Sequence, residues 1–115
     1  MTQLIYKILD AEAWANALEA GLFRGSAVDL SDGFIHFSAA GQARETALRH
    51  FAGRAGLVLV SFDAESLGPR LKWESSRGGA LFPHYYGDID AFAAIEVVPL
   101  PLGPDGRHVF PAAIP

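Results

Sequence analysis

The sequence predicts an α+β fold, a mostly antiparallel sheet carrying two main helices, and three observations lead there. Short stretches with a side-chain period of two, bounded by glycine or proline, read as strands. Two alanine-rich stretches in the first half repeat at helical spacing instead. The resulting order is strand, helix, strand, helix and then several strands, which places two early helices against the sheet. With 115 residues, half of them apolar, the chain is long enough for one core and too short for two ordinary domains, so 1–115 is read as a single domain.

Leu4 to Leu9 is rich in strand formers, with Lys7 the only charge inside it. Asp10 suits an N-cap and Glu12 the positive end of the helix dipole, so a helix is expected from Ala11 to Ala20. Trp14, Ala17 and Leu18 form its buried face, and Gly21 stops it. The stretch from Phe23 to Gly33 is polar and glycine-punctuated, a loop. Within it Arg24-Gly25-Ser26 presents a guanidinium, a hydroxyl and bare backbone, which suits an anionic ligand or an ordinary turn.

Asp32 to Ser38 reads as a buried strand with a polar residue where an apolar one belongs. Phe34, His36 and Ser38 share one face, and Ile35 and Phe37 the other. A histidine so placed is either a hydrogen-bonded core residue or the border of a cleft, because an unsatisfied buried polar group costs about 1–3 kcal/mol. Ser38 is placed to cap a helix from Ala39 to Phe51, in which Ala40, Ala43, Ala47, Leu48 and Phe51 recur at helical spacing.

Leu57 to Phe62 is the clearest central strand, and Asp63 caps a short turn through Leu67. Arg70 to Glu74 alternates charge with apolar bulk, as a half-exposed strand does. The loop from Ser75 to Gly87 holds Arg77, His84, Tyr85 and Tyr86, an expensive composition for a connector. Glu74, Arg77 and His84 supply an acid, a permanent cation and a titratable group. They make either a site or a local ion pair under aromatics that cover a sheet edge. Ala91 to Leu100 is the last long strand, packing through Phe92, Ile95, Val97 and Val98, and 111–115 is a loose tail.

Composition narrows the function. The formal net charge is −4 and the nine basic residues form no run, which argues against non-specific grip on a nucleic acid but leaves room for a small anionic ligand. No apolar run of about 18 residues exists, so no membrane span is expected. The N-terminal stretch lacks the pattern of a secretory signal, and a cytoplasmic location is expected. Without cysteine there is no disulfide, thiol nucleophile or thiolate metal site. Gly-x-Gly-x-x-Gly, the phosphate-loop motif and Gly-x-Ser-x-Gly are all absent.

Five segments carry a resemblance: Tyr6-Lys7, Arg24 to Leu30, Asp32 to Ser38, Lys72-Trp73-Glu74, and Leu81 to Gly87. In this order they resemble the recurrent motifs of domain-of-unknown-function family 952, a set of small bacterial proteins. The resemblance implies an ADP-ribosyltransferase-like fold, a split mixed sheet that binds NAD in the cleft between its halves. A more distant likeness is to the RNA 2'-phosphotransferase branch, whose strand reads roughly His-Val-His-Leu-Ser. Phe34 stands where the first of those histidines would be, and Tyr6 is followed by Lys7 where the wider fold offers His or Arg.

The expected function is therefore binding of NAD or an ADP-ribose-type nucleotide, by a divergent ADP-ribosyl-transferring or NAD-cleaving enzyme or by a non-catalytic metabolite-binding module. No definite cofactor is assigned, and NAD is a possible substrate. The expected catalytic residues are His36, Glu74 and His84, with Glu74 ahead of Glu96 as the carboxylate facing an oxocarbenium-like centre. Lys7, Arg24, Ser26, Ser38, Arg77, Tyr85 and Tyr86 are the expected ligand-binding residues. Metal-assisted hydrolysis through His36, His84 and Glu74 is a third reading, and no metal site is expected.

Overall fold

The computed structural model describes residues 3–114 and every side chain among them except that of Arg77. Strand β1 (Leu4–Asp10) runs straight into helix α1 (Ala11–Ala20). The Asp10 side chain does not cap this helix, and instead accepts a hydrogen bond from Arg54 Nη2 at 2.8 Å. Gly21, at φ 81°, ends α1 in the left-handed conformation that glycine adopts without strain. Trp14 and Ala17 are buried, whereas Leu18, expected beside them, lies at the rim of the stripe and is 38% exposed.

Strand β2 (Leu22–Phe23) leads to helix α2 (Ala27–Asp32), which the sequence reading had as loop. A capping box starts it, with Ser26 and Asp29 exchanging bonds between side chains and backbone, and Gly33 at φ 89° ends it. The expected strand after it divides in two. Strand β3 (Ile35–His36) pairs with β7 (Leu81–Tyr85), while strand β4 (Ser38–Ala39) pairs with β1. Because Ser38 and Ala39 are committed to that pairing, helix α3 (Ala43–His50) begins at Ala43 rather than Ala39. The Gln42 side chain accepts from the Ala39 N–H at 2.9 Å and closes the intervening turn.

The remaining strands are β5 (Leu57–Asp63), β6 (Leu71–Ser75), β8 (Ile89–Asp90) and β9 (Glu96–Leu100). They form a four-stranded sheet in the order β4-β1-β5-β9, a three-stranded sheet β3-β7-β6 and a two-stranded ribbon β2-β8. All these pairings are antiparallel. The chain is thus mixed α+β, and β7 replaces the tail of the loop expected from Ser75 to Gly87.

The last strand is shorter than expected. Asp90 accepts from the Phe92 N–H at 2.9 Å and caps a 3-10 turn over Ala91–Ala93, so pairing with β5 starts only at Glu96. Phe92 and Ile95 are therefore exposed rather than packed, and Val97 is largely exposed as well. The tail is not loose over its described part: Ile114 is buried, and its carbonyl accepts from Arg44 Nη2 at 2.9 Å. Among the described residues no helix is long and apolar enough to cross a membrane.

The alternation of β1 and β5 sorts the core onto two faces of the larger sheet. Ile5, Leu9, Val60 and Phe62 join Trp14, Phe23, Ile35 and Phe37 on one side. Ile8, Leu57 and Leu59 join Ala47, Leu100 and Ile114 on the other. Lys7 falls between Ile5 and Leu9 on the first face, directly opposite Val60. A lysine there must either find a buried partner or lose its proton.

Candidate functional site

Lys7 finds Asp29. Its Nζ lies 3.0 Å from Asp29 Oδ1 and 2.8 Å from Oδ2, and donates also to the His36 carbonyl at 3.0 Å. The Asp29 side chain is 1% exposed, and its oxygens further accept from the Ser26 N–H (2.8 Å), the Ser26 hydroxyl (3.0 Å) and the His36 N–H (3.0 Å). Burial pushes the Asp29 carboxyl up, but the His36 hydrogen bond, the Lys7 charge and the Ser26 amide together hold it well below the usual carboxylate range. Burial pushes the Lys7 ammonium down, and Asp29 opposes that shift. The Asp29 carboxylate, bonded to Lys7, Ser26 and His36, ties β1, α2 and β3 together. Gly25 permits this approach: it sits at φ 116°, and a Cβ there would stand 2.7 Å from that of Asp29.

The same carboxylate orients His36. Ring Nδ1 stands 2.6 Å from Asp29 Oδ1, and since Asp29 is ionised, Nδ1 carries a proton and donates it. Ring Nε2 faces the other way and lies 3.0 Å from Asp32 Oδ2, at the end of α2. The His36 side chain is 33% exposed.

A second carboxylate and histidine stand opposite. His36 and His84 are direct cross-strand partners in the β3–β7 ladder, and their rings are 5.5 Å apart at 68°. His84 Nδ1 lies 2.8 Å from Glu74 Oε1, which also accepts from the Tyr86 hydroxyl at 2.7 Å. The Tyr86 and His84 hydrogen bonds lower the Glu74 carboxyl, and reciprocally Glu74 raises the Tyr86 phenol. Phe34 lies against both imidazoles, 4.6 Å from the His36 ring and 4.1 Å from that of His84, and limits their rotation.

Both histidines line one cavity of about 620 Å³, within the range of small-molecule sites. Phe37, Phe51 and Phe82 supply apolar wall, Ser38 and Thr46 a hydroxyl pair 2.9 Å apart, and Arg54 and Asp32 charge. This arrangement positions two imidazoles, each held at Nδ1 by a carboxylate, beside a common space. Its chemical capacity is proton transfer at a bound small molecule.

Of the expected site residues, Lys7, Ser26, His36, Ser38 and His84 line this cavity. Glu74 and Tyr86 do not; they brace His84 and Phe34. Tyr85 is buried in the apolar core, so its ring offers no stacking face to a ligand. Arg24 also does not line the cavity: its side chain is 71% exposed, and its charged end lies 3.7 Å from Asp88 across the short ribbon. The Arg77 side chain lies outside the described residues. Among the described residues no group of three or more His, Asp or Glu is placed to hold a metal ion, so His36, His84 and Glu74 make no ligand set.

Asp29 and Asp32 are the residues that sequence reasoning passed over. The signal for Asp29 was available in two parts: a Ser-x-x-Asp spacing that starts a helix, and a lone lysine inside an apolar strand that needs an anion.

A family model described as "Protein of unknown function (DUF952)" matches residues 8–97. The chain is similar to the crystal structure of protein CC0527 from Caulobacter crescentus, at 52% identity, covering 92% of this chain and 93% of that one with a TM-score of 0.89. It is also similar to the solution NMR structure of CC0527, at 53% identity over 90% of each chain with a TM-score of 0.82. No curated protein matches it.

Proposed function

The chain belongs to the DUF952 family, and from the geometry of its cavity we propose that it binds a nucleotide-like ligand of the NAD or ADP-ribose type and cleaves or transfers at the N-ribosyl bond. On this reading the separated four- and three-stranded sheets are the halves of an ADP-ribosyltransferase-like fold. The observation that carries the reading is the pair His36 and His84, cross-strand neighbours each held at Nδ1 by a carboxylate, both bordering a cavity of about 620 Å³. Held in this way His84 keeps Nε2 for the ligand, while His36 presents a ring braced at Nδ1 by Asp29 and at Nε2 by Asp32, and such holding is costly unless the rings have work to do. Apolar walls beside hydroxyls suit a flat base or pyridine ring joined to a ribose.

Titration calorimetry with ADP-ribose and with NAD is the test. Binding in the micromolar to low millimolar range is expected, weakened at least tenfold in His36→Ala. Absence of heat with either ligand at millimolar concentration overturns the proposal.

A non-catalytic binding module is the second reading, and one observation favours it. The Lys7 ammonium is already spent on both Asp29 oxygens and the His36 carbonyl, so it brings no free charge to a ligand. Binding of NAD without release of nicotinamide would identify the protein as that module.

A further inference from the structure

We infer that Asp32 is the carboxylate that stabilises the ribosyl cation when an N-ribosyl bond breaks in the cavity, and that Glu74 is a positioning residue. The inference rests on the nucleotide reading above and assigns its chemistry to a residue that reading leaves idle.

The two carboxylates differ in place and in engagement. Asp32 lines the cavity, whereas Glu74 does not. Oxygen Oε1 of Glu74 holds His84 Nδ1 and the Tyr86 hydroxyl together, which fixes the ring. Asp32 is 47% exposed at its side chain, lines the same cavity as His36, and has its Oδ2 3.0 Å from His36 Nε2. Asp29 holds the opposite nitrogen, so the order Asp29, His36, Asp32 sets the last carboxylate from a buried anchor. Asp32 gains nothing from its helix: it closes α2, where the dipole disfavours a negative charge.

The step balances without an oxidant or a metal. In an N-ribosyl pyridinium the bond from C1' to the ring nitrogen breaks, both electrons leave with the nitrogen, and nicotinamide departs neutral. Positive charge then spreads over C1' and the ribose ring oxygen, where a nearby carboxylate lowers the barrier. A water oxygen bonds to C1', and its proton passes to His84 Nε2, the nitrogen left as acceptor once Nδ1 donates to Glu74. The products are nicotinamide, the free ribose compound and one proton.

The experiment compares wild type, Asp32→Asn and Glu74→Gln for nicotinamide release from NAD, and measures ADP-ribose affinity for each by calorimetry. Asp32→Asn is expected to lower kcat by about a hundredfold or more while ADP-ribose affinity stays within about threefold. Glu74→Gln is expected to lose about tenfold and to alter the pH profile through His84. Asp32→Glu, which keeps the charge and displaces it, guards against misfolding and is expected to lose rate with an unchanged circular dichroism spectrum. Release by Asp32→Asn at more than half the wild-type rate overturns the inference, as does a Glu74→Gln loss as large as that of Asp32→Asn. Wild type that binds ADP-ribose but releases no nicotinamide overturns it too, and leaves the binding proposal standing. Wild type that binds neither ligand removes both.

Discussion

Lys7 Nζ lies 2.8 Å from Asp29 Oδ2 with the two side chains 7% and 1% exposed, so a full ion pair is enclosed between the larger sheet and α2. Two charges taken out of water are tolerable together and expensive apart. Asp29→Asn takes away the negative charge that faces the buried Lys7 Nζ, and is expected to destabilise the fold by about 3–5 kcal/mol. Urea denaturation at pH 7 reads this directly. A change under 1 kcal/mol would mean that the pair is not enclosed as described.

The same carboxylate sets the acid limit of stability. Burial alone would raise its titration, but His36, Lys7 and Ser26 outweigh that and depress it in the folded state. A depressed folded value means that the unfolded chain binds the proton more readily, so stability is present above the unfolded carboxylate value, near about 4. It is then lost as pH falls from there through the folded value. Urea midpoints in wild type are expected to begin to drop at about pH 4 and to keep dropping as the medium is made more acidic, and to drop less steeply in Asp29→Asn.

Gly25 and Gly33 give a matched pair of tests. Both have positive φ, at 116° and 89°, but a Cβ at Gly25 would stand 2.7 Å from the Asp29 Cβ, while one at Gly33 meets nothing within 4 Å. Gly33→Ala therefore costs backbone strain alone, about 1 kcal/mol. Gly25→Ala adds displacement of Asp29 and is expected to cost more and to weaken ADP-ribose binding. Thermal melts of both variants, with calorimetry on Gly25→Ala, check the difference.

The sequence pattern already displayed most strands and α1, because period two, helical spacing and a glycine stop are local signals, although the expected Asp10 side-chain cap does not form. It displayed α2 only through the Ser26-x-x-Asp29 spacing, which lies in a stretch with too little apolar periodicity to be read as a helix. Nor did it show that Ile35–His36 and Ser38–Ala39 serve different sheets, since that division is made by distant partners, β7 and β1. His36, His84 and Glu74 stood out as polar residues in apolar settings, and the fold brings them together. Arg24 and Tyr85 carried suitable chemistry at unsuitable positions, one turned to Asp88 and one into the core. Residue type was readable in each case, whereas side-chain direction was set by long-range pairing.

Tyr86 and Glu74 make the last test, because each reports on the other. The Tyr86 hydroxyl donates to Glu74 Oε1 at 2.7 Å, and ionising the phenol would bring a second negative charge against the carboxylate. The hydrogen bond to Glu74 therefore raises the Tyr86 phenol above its ordinary value. A raised folded value contributes stability below the unfolded tyrosine value, near about 10, and that stability is lost as pH rises through the folded one. Tyr6 is raised as well, by burial and by Glu96, so two tyrosines are expected to ionise late in an alkaline absorbance titration. Tyr86→Phe is expected to remove one late component and to flatten the alkaline limb of the urea midpoints. It also takes away the bond that most lowers Glu74, so that carboxyl moves back toward its ordinary value. Unaltered late ionisation in Tyr86→Phe would show that the phenol does not bear on Glu74, and the brace behind His84 would then rest on a single hydrogen bond.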